Sequence, residues 1–216
     1  MPVAARRRIP RAERERQMIG AALALFGERS FDAVSMDEIA ERSGITKPML
    51  YSYFGSKDGM YMACIEDAVR PMIEQFRAAV IDAPDPARRL WAGARAYLGW
   101  VDDNRAIYSR LFVEARARGG EPAALVERLS RELGSTLAEL FTRTAREAGV
   151  APMAEVEAQA VCLYGAVEAM ARWWLDHPEV PRDLLALRIV NFAWMGQENL
   201  MQGRLWLPPP DAIEER

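Results

Sequence analysis

SMDEIAERSGITKPMLYSYF, residues 35–54, is the stretch on which the reading of this chain turns. Its apolar residues fall at helical spacing twice, with a break between. A first helix is expected from about Met36 to Arg42, with Ser35 as its N-cap and Glu38 completing a capping box. Ser43-Gly44-Ile45 reads as a short turn in which Gly44 is free to take positive φ. A second helix is expected from about Lys47 to Tyr53. Thr46 would cap it, and Pro48 is tolerated in its first turn. Two short helices joined by a glycine-bearing turn make a helix-turn-helix. Ile39, Ala40, Ile45 and Leu50 are placed to form a small core between them. The second helix can then offer its N-terminal side chains to a DNA major groove. Two short capped helices also occur in proteins that never touch DNA, so the pattern alone leaves both readings open.

Outward from this stretch, nearly every segment has helical period and none has strand alternation. A helix is expected at 11–27, with Ile19, Leu23 and Phe26 as its apolar stripe, and Phe31 and Val34 bridge to the next. Ser56 would cap a fourth helix running to about Val80, bent at Pro71. Ala83-Pro84-Asp85-Pro86 is the clearest break. Helices follow near 87–103, 105–117, 122–148, 153–176 and 181–203, and Pro208-Pro209-Pro210 ends the fold. The expectation is an all-α protein. A basic arm at 1–10 leads to an N-terminal three-helix headpiece at 11–60. A helical domain at 61–207 and a tail at 208–216 complete it.

Half of the 216 residues are hydrophobic, ample for a packed core. Within residues 1–16, six arginines face two glutamates, a surplus of four positive charges on a chain of net charge −3. A basic leading end on an acidic body suits a protein that meets phosphate with one end only. A solvated arm without a partner would have the same composition. Cys64 and Cys162 lie far apart, and His177 is the one histidine, so neither a disulfide framework nor a metal site nor any cofactor is expected. No apolar run reaches membrane-spanning length and no signal-peptide pattern follows the leading arginines. The cytoplasm is the expected compartment. GxSxG, Walker-type and HExxH patterns are missing, which argues against an enzyme.

Ile39-Ala40, Gly44-Ile45-Thr46, Leu50-Tyr51-Ser52-Tyr53-Phe54 and Ser56-Lys57-Asp58 resemble the signature of the tetracycline-repressor (TetR) family, in order and at its spacing. The resemblance covers about residues 11–60. It implies a DNA-binding headpiece and a C-terminal domain that senses a small molecule and dimerises, in a family composed mostly of repressors. The second half is similar in architecture and in the segment Tyr164-Gly165-Ala166-Val167-Glu168-Ala169. Carried over by position, Ser35 and Thr46 should contact phosphate, which helix N-termini favour. Lys47, Pro48 and Met49 should face base edges, Lys47 toward guanine and Met49 toward a thymine methyl. Tyr51 and Tyr53 should reach the DNA backbone, and Lys57 should pair with a phosphate. Arg6 to Arg8 can lie in the neighbouring minor groove or bind by charge alone.

The last two helices are apolar on nearly every side and must be covered on nearly every side. A second copy of the chain would do this through an isologous four-helix interface. Val161, Gly165, Ala169, Val190 and Trp194 are the expected contact positions, with Gly165 and Ala169 allowing close approach. Trp100, Tyr108, Phe112, Phe141 and Tyr164 read individually as core. Together they can line an apolar cavity for a small-molecule effector. Glu168 stands in an apolar stretch, where it would pair with an arginine such as Arg110 or meet a cationic ligand, and the ion pair is the favoured expectation. The functional expectation is a homodimeric repressor, released from a near-palindromic DNA operator by an apolar or amphipathic effector. The rivals are an all-α protein-interaction module and a regulator that needs no effector.

Overall fold

A computed structural model of the chain describes residues 10–147, 149 and 156–201, the side chains of 197–201 excepted. The arginines of the leading arm and the C-terminal tail lie outside what it describes. Among the described residues the fold is all-α, with no strand. In chain order the elements are α1 (Arg11–Glu28), a 3₁₀ turn (Phe31–Ala33), α2 (Met36–Ser43), α3 (Lys47–Phe54), α4 (Lys57–Asp82) and α5 (Pro86–Asp103). Then come α6 (Arg105–Ile107), a π-helical stretch (Tyr108–Val113), α7 (Glu114–Arg118), α8 (Gly120–Glu147), α9 (Val156–Leu175) and α10 (Arg182–Met201).

Local chemistry accounts for the headpiece boundaries. The Ser35 hydroxyl accepts the Glu38 N–H at 3.2 Å, and the Glu38 carboxylate accepts the Ser35 N–H at 2.8 Å. Two N–H groups left open by the helix start are thereby satisfied reciprocally. Gly44 ends α2 at φ 68°, a left-handed conformation natural to glycine, and its N–H reaches the Ala40 and Glu41 carbonyls. Thr46 takes the extended backbone of an N-cap, but its side chain makes no capping bond, contrary to expectation. The Ser56 hydroxyl accepts the Gly59 N–H at 2.9 Å and starts α4 as expected. Pro71 lies inside α4, which continues unbroken to Asp82.

The single helix expected at 105–117 contains the π-helical stretch, a local widening common at functional positions. Its Tyr108 and Phe112 rings stack at 5.8 Å, and both meet the Trp100 ring edge-on, at 6.1 and 5.5 Å.

The chain forms two compact units. The first draws on Met1–Gln75 and Trp100–Glu132, the second on Phe76–Gly99 and Leu133–Arg216. The division falls inside α4, α5 and α8. In the first unit Phe26, Phe31 and Tyr61 form an aromatic cluster with centroids 4.9–6.0 Å apart. The Tyr61 hydroxyl donates to the Arg110 carbonyl at 2.6 Å, and burial pushes its pKa up. In the second unit Trp174 is buried and its indole N–H donates to the Val180 carbonyl at 2.8 Å, fixing the corner between α9 and α10.

Candidate nucleic-acid interface

The helix-turn-helix is held by Ile39, Ala40 and Leu50, all buried, and by the Ile45 N–H bonding to the Ala40 carbonyl at 3.0 Å. Closing this core turns Thr46, Lys47, Pro48 and Tyr51 of the α3 region to solvent, together with Ser35 at the start of α2. Met49 and Tyr53 are half-buried. The exposed face therefore presents hydroxyls, an ammonium and the open N-terminus of α3, the donor chemistry that phosphates and base edges accept.

Two of the expected cations are already engaged. The Lys47 ammonium lies 2.8 Å from an Asp37 carboxylate oxygen. The hydrogen bond to Asp37 raises the Lys47 pKa above the ordinary lysine value. The Lys57 ammonium sits 4.2 Å from the centre of the Phe31 ring, and partial desolvation lowers its pKa. Lys57 is thus half-buried against an aromatic face, where the sequence reading expects it free for a phosphate. Arg11 lies over the Tyr53 ring at 5.1 Å.

Sequence reasoning missed Glu114 and Arg118. The Glu114 carboxylate accepts the Phe31 N–H at 2.9 Å. Arg118 lies over the Phe31 ring at 3.7 Å and pairs with Asp32 at 3.1 Å. No local pattern marks either residue, because Phe31 and Asp32 stand more than eighty positions away from them. Asp37 was missed too, although it lies within the quoted stretch: its significance comes from the turn that brings α2 and α3 together.

The second unit holds a slender cleft of about 40 Å³, lined by Phe76, Val80, Tyr97, Leu137, Tyr164 and Val167 among others. Arg89 also borders it, but its guanidinium is spent on Glu147 and the Ala83 carbonyl. The cleft is therefore an apolar slot.

Of the six residues expected at an effector site, Tyr164 lines this slot, its ring edge-on to Tyr97 at 6.4 Å. Phe141 is buried in the same unit outside the lining. Glu168 is buried one turn beyond Tyr164 and accepts from its hydroxyl at 3.3 Å. The favoured ion pair forms with Arg172 on the same helix, at 3.6 Å, while Arg110 belongs to the other unit. Trp100, Tyr108 and Phe112 also belong to the other unit, where they pack on one another. Of the six, Tyr164 is the one that lines this cleft.

On α9, Val161 is 66% exposed, and Gly165 and Ala169 share its open stripe with Cys162 and Trp173. Among the described side chains of α10 the large open apolar ones are Leu184, Leu187, Phe192 at 77% and Met195 at 64%. Val190, expected on the outer face, instead lines the cleft, and Trp194 is half-buried.

Residues 18–64 match the family described as bacterial regulatory proteins, tetR family. Residues 86–196 match the tetracyclin repressor-like C-terminal domain. The chain is 30% identical over 191 residues to the HTH-type transcriptional activator FasR of Mycolicibacterium smegmatis, covering 88% of this chain and 85% of that protein. The crystal structure of a TetR-like transcriptional regulator from Rhodococcus sp. RHA1 is similar at 31% identity and a TM-score of 0.68, over 88% of this chain and 99% of that one. FadR of Bacillus subtilis, solved in complex with stearoyl-CoA, shares the fold at 14% identity and a TM-score of 0.69, over 87% of this chain and 98% of its own. These relatives are regulators of transcription, not enzymes. With both stretches matched and one relative aligned over most of both chains, this chain belongs to the tetR family of bacterial regulatory proteins, which act by binding DNA.

Proposed function

We propose that this protein is a homodimeric, effector-responsive regulator that reads a near-palindromic operator through the N-terminal face of α3. One observation carries the reading. Closing the small core around Ile39 and Leu50 leaves Thr46, Lys47, Pro48 and Tyr51 exposed together, at the end of a helix whose open N–H groups favour phosphate. Thr46 and Ser35 supply phosphate contacts, Lys47 and Pro48 face base edges, and Tyr51 reaches the DNA backbone. Met49 and Tyr53 contribute the parts of their side chains that remain open. Lys57 meets a phosphate only after leaving Phe31.

One headpiece covers half a site, so pairing is needed for specificity. The open apolar stripes of α9 and α10 support an isologous pairing face built on Val161, Gly165, Ala169, Phe192 and Met195. The apolar slot beside Tyr97 and Tyr164 supports an effector with an alkyl or acyl tail. Such a tail exceeds the slot and must widen it. Because α4 runs from Lys57 beside Phe31 to Val80 at the slot, widening can alter the headpiece along one continuous helix. We place this activity in the cytoplasm, where operator DNA lies. Among the described residues no helix is long and apolar enough to cross a membrane.

Release of a bound repressor is the first reading of the output. Activation is the second, favoured by the similarity to a protein named as an activator.

Selection of random duplexes by the purified full chain tests the DNA reading. A palindromic consensus is expected, and binding that is insensitive to salt would refute it. Titration of stearoyl-CoA against the protein, with and without the selected duplex, tests the coupling. Linkage requires each to change the affinity of the other by the same factor. A reporter gene carrying the operator then separates repression from activation.

A further inference from the structure

Lys47 opens α3 and is one of two lysines in the chain. The other, Lys57, lies over the Phe31 ring. Lys47 faces a different neighbour. Asp37, in the first turn of α2, holds its ammonium at 2.8 Å, with the two side chains 44% and 68% exposed for lysine and aspartate. Two other acids on the neighbouring elements already have partners. Glu38 is spent on the Ser35 cap and on Arg29, and Glu28 pairs with Arg42 at 3.5 Å. A carboxylate at the edge of a DNA-facing surface is repelled by phosphate. Its presence beside the leading lysine therefore needs a reason.

We infer that Asp37 is a specificity-determining residue: it draws the Lys47 ammonium out of reach of the phosphates and orients it toward a base edge. This rests on α3 being the DNA-reading helix. An ammonium has three donors, and a bond to Asp37 takes one of them. The remaining donors suit guanine O6 or N7. A lysine without this tether is a flexible point charge that follows the nearest phosphate, whatever the sequence. Asp37 thus lowers binding to every duplex and lowers it least where the right base receives Lys47. Such a pair is exposed, hence weak, so DNA can reshape it without a large barrier. The effect on affinity is correspondingly modest, about two- to fivefold.

The test uses the full chain, the selected operator and a scrambled duplex of equal length, across about 50–200 mM salt. Asp37→Asn, an exposed change that leaves the Ser35–Glu38 cap intact, should strengthen scrambled-duplex binding about two- to fivefold. Operator binding should gain less, so the operator-to-scrambled ratio falls. The dependence of log affinity on log salt should steepen by about one unit. The double variant Asp37→Asn, Lys47→Gln should lose this gain. A gain that survives in the double variant would show Asp37 acting by its own charge and would overturn the route through Lys47. An unchanged ratio in Asp37→Asn, or a loss of affinity on both duplexes, overturns the role of Asp37 alone. A wild-type chain that binds no duplex overturns the reading of α3 and this inference with it.

Discussion

The Glu114 carboxylate accepts the Phe31 N–H at 2.9 Å, across 83 positions of sequence. Arg118, at the other end of the short helix α7, covers the same residue's ring at 3.7 Å. Phe31 is buried and leads into α2, so α7 holds the approach to the helix-turn-helix from its backbone and from its side chain. Replacing Glu114 by Ala leaves a partly buried N–H unpaired, which costs about 1–3 kcal/mol. Urea unfolding of the Glu114→Ala chain measures this, and a midpoint equal to wild type would show the bond to be idle.

Ser35 has two expected roles, capping α2 and contacting phosphate. Ser35→Ala should cost about 0.5–2 kcal/mol of stability and weaken operator binding. Ser35→Asp keeps a good N-cap but puts a negative charge toward the DNA. It should unfold close to wild type while binding the operator worse than Ser35→Ala does. Equal operator affinity for the two variants would remove the phosphate role and leave only the cap.

Two carboxylates predict an acid limit. Glu38 is held at about 2 by its hydrogen bonds to Ser35 and Arg29, and Glu147 at about 2 by those to Arg89 and Arg143. Both have an ordinary value of 4.5. Between these values the unfolded chain takes up protons that the folded chain refuses. Their contribution is therefore complete above pH 4.5 and is lost as pH falls toward 2. Urea midpoints followed down this range should fall more steeply for wild type than for Glu38→Gln or Glu147→Gln. Parallel profiles would contradict the assignment.

The cysteines report on pairing. Cys64 is buried, and burial pushes its thiol pKa up, whereas Cys162 is exposed on the open stripe of α9. A thiol reagent should modify Cys162 and spare Cys64 in the folded protein. If α9 and α10 form the pairing face, labelling of Cys162 should accelerate on dilution to monomer. Phe192→Asp should do the same at any concentration and should shift the sedimentation of the chain toward monomer. Labelling that ignores both dilution and Phe192→Asp would place the pairing face elsewhere.

How far each of these features could be read in advance depends on the range of the interaction behind it. The sequence by itself determined the helices, the Ser35–Glu38 capping box, the Gly44 turn and the Ser56 cap, because these bonds join residues about three positions apart and depend only on local spacing. The exposure of Thr46, Lys47, Pro48 and Tyr51 agrees with the expected open start of α3. Thr46 marks the edge of this legibility: its residue type suits a cap, yet its side chain makes no capping bond. Val161, Gly165 and Ala169 were readable as an outer stripe, but Val190 was not, because a helix apolar all round carries no phase that says which side faces in. Aromatic content likewise marked Trp100 and Tyr164 without saying that the two belong to different compact units. Only the tertiary structure decided that Lys57 lies over Phe31, that Lys47 meets Asp37, that Glu168 pairs with Arg172 rather than across the chain, and that Glu114 holds the approach to the reading helices. Apart from the Arg172 pair, these contacts join residues on different elements. Their geometry follows from the packing of whole helices, where burial summed over many side chains sets the positions and no single residue's spacing encodes the result.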